Sequence, residues 1–308
     1  MRYEDKKINS MISICICICT RNRQKELKKL LDSLIEMQIP PDTNVRIIVV
    51  ENDLESYSEE IVKEYLLKSK LRISYFLETS QGIAFARNRS VREANGSDFC
   101  CFVDDDQFVS PDWLIELLKC QTEFNADGVW GSNPPIFNKN VPLYVKQFHK
   151  PYIYEYGTIV KMAATNCLLL RKKYLDMIDG PFDVRFNFTG GEDIYLTFLV
   201  TNKGGVIRFN PNAIAYENIP NARATIKYLI KRAFRNSNAS YFVESLKSPN
   251  FNKRKVLKKE GMRFFYGILI IIPYLLFAKS NRLKGLLTII ESIGGLYFIL
   301  GKQFRFYN

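Results

Sequence analysis

The 308-residue chain contains one histidine, His149, and no Cys-x-x-Cys pair among its seven cysteines. Those shortages exclude the common zinc-ligand sets, which need several imidazoles or thiolates at short spacing. Cys15, Cys17 and Cys19 alternate with Ile14, Ile16 and Ile18, so the thiols share one face of a strand, and buried reduced cysteines are the expectation. Low-complexity segments and internal repeats are absent, and a hydrophobic content of 47% supports a real core in one large α/β domain or two small ones. No apolar run reaches the roughly 20 residues of a spanning helix. Phe264 to Ala278 is interrupted by Pro273, and Leu286 to Leu300 by Glu291 and several small residues. The N-terminus carries Arg2, Glu4, Asp5, Lys6 and Lys7 before a short apolar stretch, so it does not read as a secretory signal. Acidic residues are scarce in the last third: residues 221–308 hold 17 Lys and Arg against 3 Asp and Glu, a balance of +14, while residues 1–220 balance at −2. A basic segment beside short apolar runs points to an anionic membrane surface, or to a helical subdomain that caps the catalytic part or pairs two copies. No nucleic-acid-binding module is recognisable.

What is present centres on Phe102-Val103-Asp104-Asp105-Asp106-Gln107. An apolar run from Asp98 to Val103 ends in three consecutive carboxylates, and Ser110-Pro111-Asp112 then opens an amphipathic segment with Trp113, Leu114, Leu117 and Leu118. The pattern predicts a buried strand, a tight acidic loop, and a helix with Ser110 as cap and Pro111 at its first position. Three like charges at a strand end repel unless a cation sits among them, and hard oxygens suit Mg²⁺ or Mn²⁺. The alternative is a solvated turn in which Asp106 or Asp112 helps to cap the helix.

Before that loop, strands alternate with helices. Strands are predicted over Met11 to Cys19, Val45 to Val50 and Arg72 to Leu77, and helices over Gln24 to Gln38, Ser58 to Lys68 and Gly82 to Glu93. Alternation of this kind predicts a mostly parallel, doubly wound sheet whose ligands bind at the C-terminal strand ends. Three such ends carry polar clusters: Thr20-Arg21-Asn22, Glu51-Asn52-Asp53 and Asp104-Asp105-Asp106. Beyond the acidic loop the alternation weakens. Gly128, Trp130 and Gly131 fall in a strand that turns out of the sheet, and residues 138–160 are rich in Tyr, Phe and Lys, as a mobile ligand-contacting loop or a partly buried surface loop would be. His149 has no histidine or cysteine partner and no expected catalytic role. Ala163 to Leu170 reads as a further strand. Thr189-Gly190-Gly191-Glu192-Asp193 then opens a helix, and Arg223 to Asn238 reads as a basic helix with Arg232 and Arg235 on one face.

The segments CICTRNRQKELKKLLDSL, RIIVVEND, QGIAFARNRSVREANGSDFCCFVDDDQFVSPDWL and FTGGEDIYL occur in the order seen in family 2 glycosyltransferases, and over about residues 11–240 the chain resembles that family. The later AIAYENIPNARATIKYLIKRAFRNSNAS is similar to a bacterial subgroup that builds exopolysaccharide, capsule or lipopolysaccharide. The resemblance implies the GT-A fold, with a nucleotide-sugar half near 11–125, an acceptor half near 126–240, and a basic, apolar helical tail at 241–308. It implies metal-dependent, inverting transfer from a nucleoside diphosphate sugar, most naturally a UDP-sugar, to a glycan or lipid-linked acceptor on the inner, cytoplasmic face of the cell membrane. By similarity Asp104 and Asp106 hold Mn²⁺ or Mg²⁺, and Asn218 stands where related sequences commonly carry a metal-binding His. Thr20, Arg21, Asn22, Glu51, Asp53, Arg87, Asp104, Asp105, Asp106, Arg232 and Arg235 are the implied donor-binding residues, with Glu51 in place of the usual Asp. Trp130, Gly191 and Glu192 are implied acceptor contacts, and Asp193 is the implied base. Two other functions compete: nucleotidyltransfer, against which the first strand lacks a glycine-rich loop, and a non-catalytic membrane-docking protein.

Overall fold

A computed structural model describes residues 11–137, 140–272 and 279–305. The charged stretch at 1–10 and the Pro273 break lie outside the described residues. In chain order the elements are β1 (Ile12–Thr20), α1 (Gln24–Glu36), β2 (Thr43–Glu51), α2 (Glu59–Lys68), β3 (Arg72–Leu77), α3 (Ile83–Glu93), β4 (Phe99–Asp104), β5 (Gln107–Val109), α4 (Trp113–Phe124), β6 (Gly128–Ser132), β7 (Pro135–Phe137) and α5 (Leu143–Lys146). There follow β8 (Ile159–Val160), β9 (Leu168–Arg171), α6 (Lys172–Asp176), α7 (Glu192–Asn202), β10 (Ile207–Ile219), α8 (Ile226–Lys247), α9 (Lys253–Ile271) and α10 (Lys279–Ile299).

The sheet runs β3-β2-β1-β4-β9-β6-β10-β5, with β7 and β8 also paired to β10. The first four strands are mutually parallel, whereas β9 is antiparallel to both neighbours. This is the mostly parallel α/β sheet flanked by helices that the alternation predicts. Its two faces follow from the period of two in a strand. In β1, Ile14, Ile16 and Ile18 pack with Leu27, Leu30, Leu31 and Leu34 of α1 and Trp113, Leu114 and Leu117 of α4. Cys15 and Cys17 face the other way, toward Ala84 and Ala86 of α3 and Leu196 and Val200 of α7. Small side chains on both surfaces let α3 lie close to the sheet. All seven cysteines are unpaired; six are buried and Cys19 is half-buried.

Two expected boundaries are corrected. The helix after the acidic loop begins at Trp113, not at Pro111, because β5 first pairs antiparallel with β10 and carries the chain onward. Asp112, not Ser110, therefore takes the N-cap position, without a side-chain cap bond; in the turn before it the Ser110 carbonyl accepts from Trp113 N at 3.0 Å and its hydroxyl donates to Asp112 at 2.7 Å. The strand expected over Ala163 to Leu170 starts only at Leu168, since Thr165–Cys167 is a 3₁₀ turn. At the C-terminus α8, α9 and α10 pack together, and α8 runs unbroken through residue 240. The division expected there falls inside one helix.

Candidate active site

Strand register sets the rim. Thr20 at the end of β1 pairs with Glu51 at the end of β2, and Cys19 pairs with Asp104 at the end of β4, so the three polar strand ends lie side by side. The α3 helix enters this rim held by two asparagines from elsewhere: Asn52 Oδ1 accepts from Gly82 N at 2.8 Å, and Asn187 Oδ1 accepts from Ala84 N at 2.9 Å. Gly82 has φ 138°, and a Cβ there would collide with the Asn187 side chain at 2.3 Å, so only glycine permits this grip.

One turn into α3, Arg87 is buried between two acids. Its guanidinium donates to Glu192 on α7 and to Asp104 Oδ1 at 3.2 Å. Burial pushes the Glu192 carboxyl up to about 7, Arg87 pulls it down, and the adjacent Asp193 raises it again. The other Glu192 oxygen is buried without a hydrogen-bond partner. Asp193, half-buried at the head of α7, accepts from Ile194 N at 2.7 Å. Gly191, just before them, has φ 103°, and a Cβ there would lie 3.1 Å from Val243 on α8.

The acidic loop divides its carboxylates. Asp105 is turned inward, accepting from the Thr20 hydroxyl at 2.9 Å and from Arg23 at 2.7 Å. Asp106 Oδ2 accepts from Arg23 at 3.0 Å and from Arg223 at 2.8 Å. Asp104 keeps its side chain 41% exposed. Desolvation within the cleft, together with repulsion from Asp106 and Asp193, pushes its carboxyl above the ordinary range while Arg87 opposes. Glu217 on β10 completes the cluster: burial and then the Asp106 charge raise it to about 7, with Arg223 opposing at 3.7 Å. The Asn218 backbone N–H donates to the Asp106 carbonyl at 3.1 Å, and Gln107 Oε1 accepts from Asp104 N at 2.9 Å, so β10 and β5 hold the loop in shape.

Thus Asp104, Asp106, Glu192, Asp193, Arg87 and the Asn218 backbone converge on one rim. The remaining expected residues are placed as follows. Glu51 is fully buried, and its carboxylate accepts from Tyr57 N, Ser58 N, the Ser58 hydroxyl and the Tyr75 hydroxyl, at 2.6 to 2.9 Å. It organises the 52–58 loop from within. Arg21 and Asp53 face each other at 3.8 Å, and Asn22 turns the chain with φ 50°. Trp130 is buried, covered by Tyr152 and Tyr154 at ring distances of 5.2 and 6.2 Å. Arg232 makes no ion pair with the acidic loop among the described residues, donating to the Phe148 carbonyl and to His149 Nδ1, and Arg235 donates to Asn236. Besides Arg87, two cations meet the loop, Arg23 and Arg223, and both are missing from the sequence-derived set, as is Glu217. Arg23 closes the Thr20-Arg21-Asn22-Arg23 cluster and Glu217 precedes Asn218, so proximity in sequence offered a signal for both; Arg223 offered none.

Hard oxygens at Asp104 and Asp106 fit Mg²⁺ or Mn²⁺. Among the described residues no group of three His, Cys, Asp or Glu forms a closed metal cage. The donors therefore fit a cation that brings other ligands with it, as a nucleotide diphosphate or water supplies.

A rim of interleaved carboxylates and arginines at the strand ends is the candidate active site. Residues 15–178 match Glycosyl transferase family 2, and the chain belongs to that family. It is 31% identical over 216 residues to the succinoglycan biosynthesis protein ExoM of Rhizobium meliloti (strain 1021), covering 69% of each chain. It is 27% identical over 117 residues to the poly(ribitol-phosphate) β-N-acetylglucosaminyltransferase TarS of Staphylococcus aureus (strain Mu50 / ATCC 700699), covering 38% of this chain and 20% of that protein. In fold it is similar to the mannosyltransferase PcManGT from Pyrobaculum calidifontis in complex with GDP-Man and Mn²⁺, with a TM-score of 0.67 at 15% identity over 94% of this chain and 88% of that one. It is also similar to S. aureus TarS 1–349 in complex with UDP-GlcNAc, with a TM-score of 0.54 at 14% identity over 96% and 93%. The fold is GT-A and the protein is a glycosyltransferase. Family membership sets aside nucleotidyltransfer and a purely membrane-docking role.

Proposed function

We propose that the protein transfers a sugar, with inversion, from a nucleoside diphosphate sugar to a glycan or lipid-linked acceptor in bacterial cell-surface polysaccharide synthesis. A UDP-sugar is the donor we favour. The observation that carries this reading is the convergence of Asp104, Asp106 and Asp193 on one rim, with Arg87, Arg23 and Arg223 interleaved. The names of ExoM and TarS support the polysaccharide context.

In this mechanism Asp104 and Asp106 would hold Mn²⁺ or Mg²⁺, and the Asn218 side chain would be a candidate further oxygen ligand. A cation held there would supply charge neutralisation for a departing diphosphate. Arg223 and Arg23, now engaged with Asp106, are positioned to share the same phosphate oxygens. Asp193 takes the proton of the acceptor hydroxyl as its oxygen forms the new bond to the anomeric carbon and the bond to the diphosphate breaks. Glu192, pinned by Arg87, fixes the loop that presents Asp193. The buried Trp130, with Tyr152 and Tyr154 against it, forms an aromatic wall on the acceptor side.

The test is a panel of nucleotide sugars and free nucleotides titrated calorimetrically with and without Mn²⁺ or Mg²⁺, repeated with Asp106→Asn. Binding should require the metal, and the variant should lose at least about tenfold in affinity, as expected for one charge-assisted contact. Equal UDP affinity in the variant, metal present, ends the metal assignment.

A further inference from the structure

The α9 helix has two unlike faces. Its inner face carries Val256, Glu260 and Gly267, all buried, and it crosses α10 closely: a Cβ at Gly267 would come within 3.0 Å of the Gly285 carbonyl oxygen. Its outer face carries Arg254, Lys258, Met262, Phe265, Leu269 and, just past the helix end, Ile272. Those positions are four, four, three, four and three apart, which places them in one stripe. All six are exposed, with Phe265 at 67% and Leu269 at 64%. The stripe is cationic over its first two turns and apolar over the next three.

Among the described residues no acid pairs with its cations. Residues 253–263 hold six Lys and Arg against one acid, Glu260, which is buried under the Tyr241 hydroxyl. Among the described residues Lys253, Arg254, Lys255 and Lys258 make no ion pair. A second copy would bring like charge to like charge. A bilayer with anionic headgroups offers phosphates to the first turns and acyl chains to the later ones. Between α8 and α9 lies a recess of about 700 Å³ lined by Lys255, Lys259, Arg263, Asn252 and Ser237. The Ser237 hydroxyl there is buried without a partner, which suits an oxygen-rich headgroup. Among the described residues no helix is long and apolar enough to cross a membrane.

We propose that the outer face of α9 is a peripheral docking surface for anionic phospholipid bilayers, with the helix lying in the interface. The geometry also ties this surface to the acceptor half. Val145 of α5 packs with Leu229 and Ala233 of α8 and with Leu283 and Leu287 of α10, the half of α10 that meets the apolar part of α9. An acceptor carried on a lipid would thus arrive beside the loop that the chain places on its acceptor side.

Flotation of the full chain with phosphatidylglycerol–phosphatidylcholine vesicles and with phosphatidylcholine vesicles tests the proposal. The wild type should float with the anionic vesicles, release in high salt, and float weakly with the neutral ones. Phe265→Asn with Leu269→Asn, and separately Arg254→Glu with Lys258→Glu, should each lower binding at least about tenfold. Leu67→Ser, which removes an exposed leucine on α2, should not. Turnover of a water-soluble acceptor should be unchanged in all variants, which separates failure of docking from failure of the catalytic reading. Undiminished flotation of both double variants, or equal binding to neutral vesicles, overturns the proposal. So does a wild-type dimer in sedimentation that the Phe265/Leu269 variant dissolves while neither protein floats.

Discussion

The rim and α9 each gather like charges in a small volume, and the protein treats them in opposite ways. At the rim five carboxylates, Asp104, Asp105, Asp106, Glu192 and Glu217, are interleaved with Arg23, Arg87 and Arg223, each arginine lying within 4 Å of two of them. On α9 Lys253, Arg254, Lys255 and Lys258 are exposed and make no ion pair among the described residues, while Arg263 alone meets acids, Glu260 and Glu291. The difference follows from dielectric. Buried charges must be answered inside the fold because removing one partner leaves an expensive unpaired ion, whereas exposed charges are screened and can wait for an external counter-ion. The first cluster is therefore preorganised for chemistry and the second for association.

The largest expected break in that contrast is Asp193→Asn. Unlike those five carboxylates, Asp193 receives no arginine within ion-pair distance among the described residues, and it accepts instead from Ile194 N–H. A positioned base contributes about 10²–10⁴ in rate. Turnover should fall by that factor with donor affinity preserved, and steady-state kinetics beside calorimetry will read both. Wild-type turnover in the variant removes Asp193 from the mechanism.

Next comes Arg87→Met, which opens the rim from within. Breaking one partner from a buried pair costs about 3–5 kcal/mol. Glu192 already sits at about 7 through burial, with Arg87 opposing. Without Arg87 its folded value rises further above the unfolded one, so the folded state holds an extra proton and stability is lost as pH rises. Chemical denaturation should show a larger deficit near pH 8 than near pH 6. A deficit independent of pH would mean that Glu192 does not carry the effect.

How much of this was legible beforehand depends on sequence distance. Period-two alternation in Cys15 to Ile18 and leucine spacing in α1 reveal the parallel half directly, and the strand ends then fall on one rim. What stayed hidden are contacts made by folding back. Arg23 reaches Asp105 across 82 residues and Arg223 reaches Asp106 across 117, and no local pattern marks either pairing. Arg232 was legible as a basic helical residue, but its partner is a carbonyl in a distant loop. Glu51 shows the converse: its position at a strand end is plain in the sequence, while its four internal donors are not.

The smallest effect concerns His149, where a cation is excluded from burial rather than paired. Its ring is buried between Tyr228, stacked at 6.5 Å, and Phe137, edge-on at 5.5 Å. Arg232 approaches Nδ1 at 3.2 Å, and since a guanidinium only donates, Nδ1 is the acceptor and the ring proton resides on Nε2. Adding a proton at Nδ1 would set two cations against each other, so burial first and Arg232 second lower the pKa from 6.5 to about 4. The folded value lies below the unfolded one, so the unfolded chain binds more protons between these limits. Stability is therefore present above pH 6.5 and lost as pH falls toward 4, by at most about 3 kcal/mol. Glutamine keeps an acceptor for Arg232 without titrating. Melting curves of wild type and His149→Gln should diverge on acidification across that window, with the wild type falling faster; parallel curves would show that His149 stays uncharged for another reason.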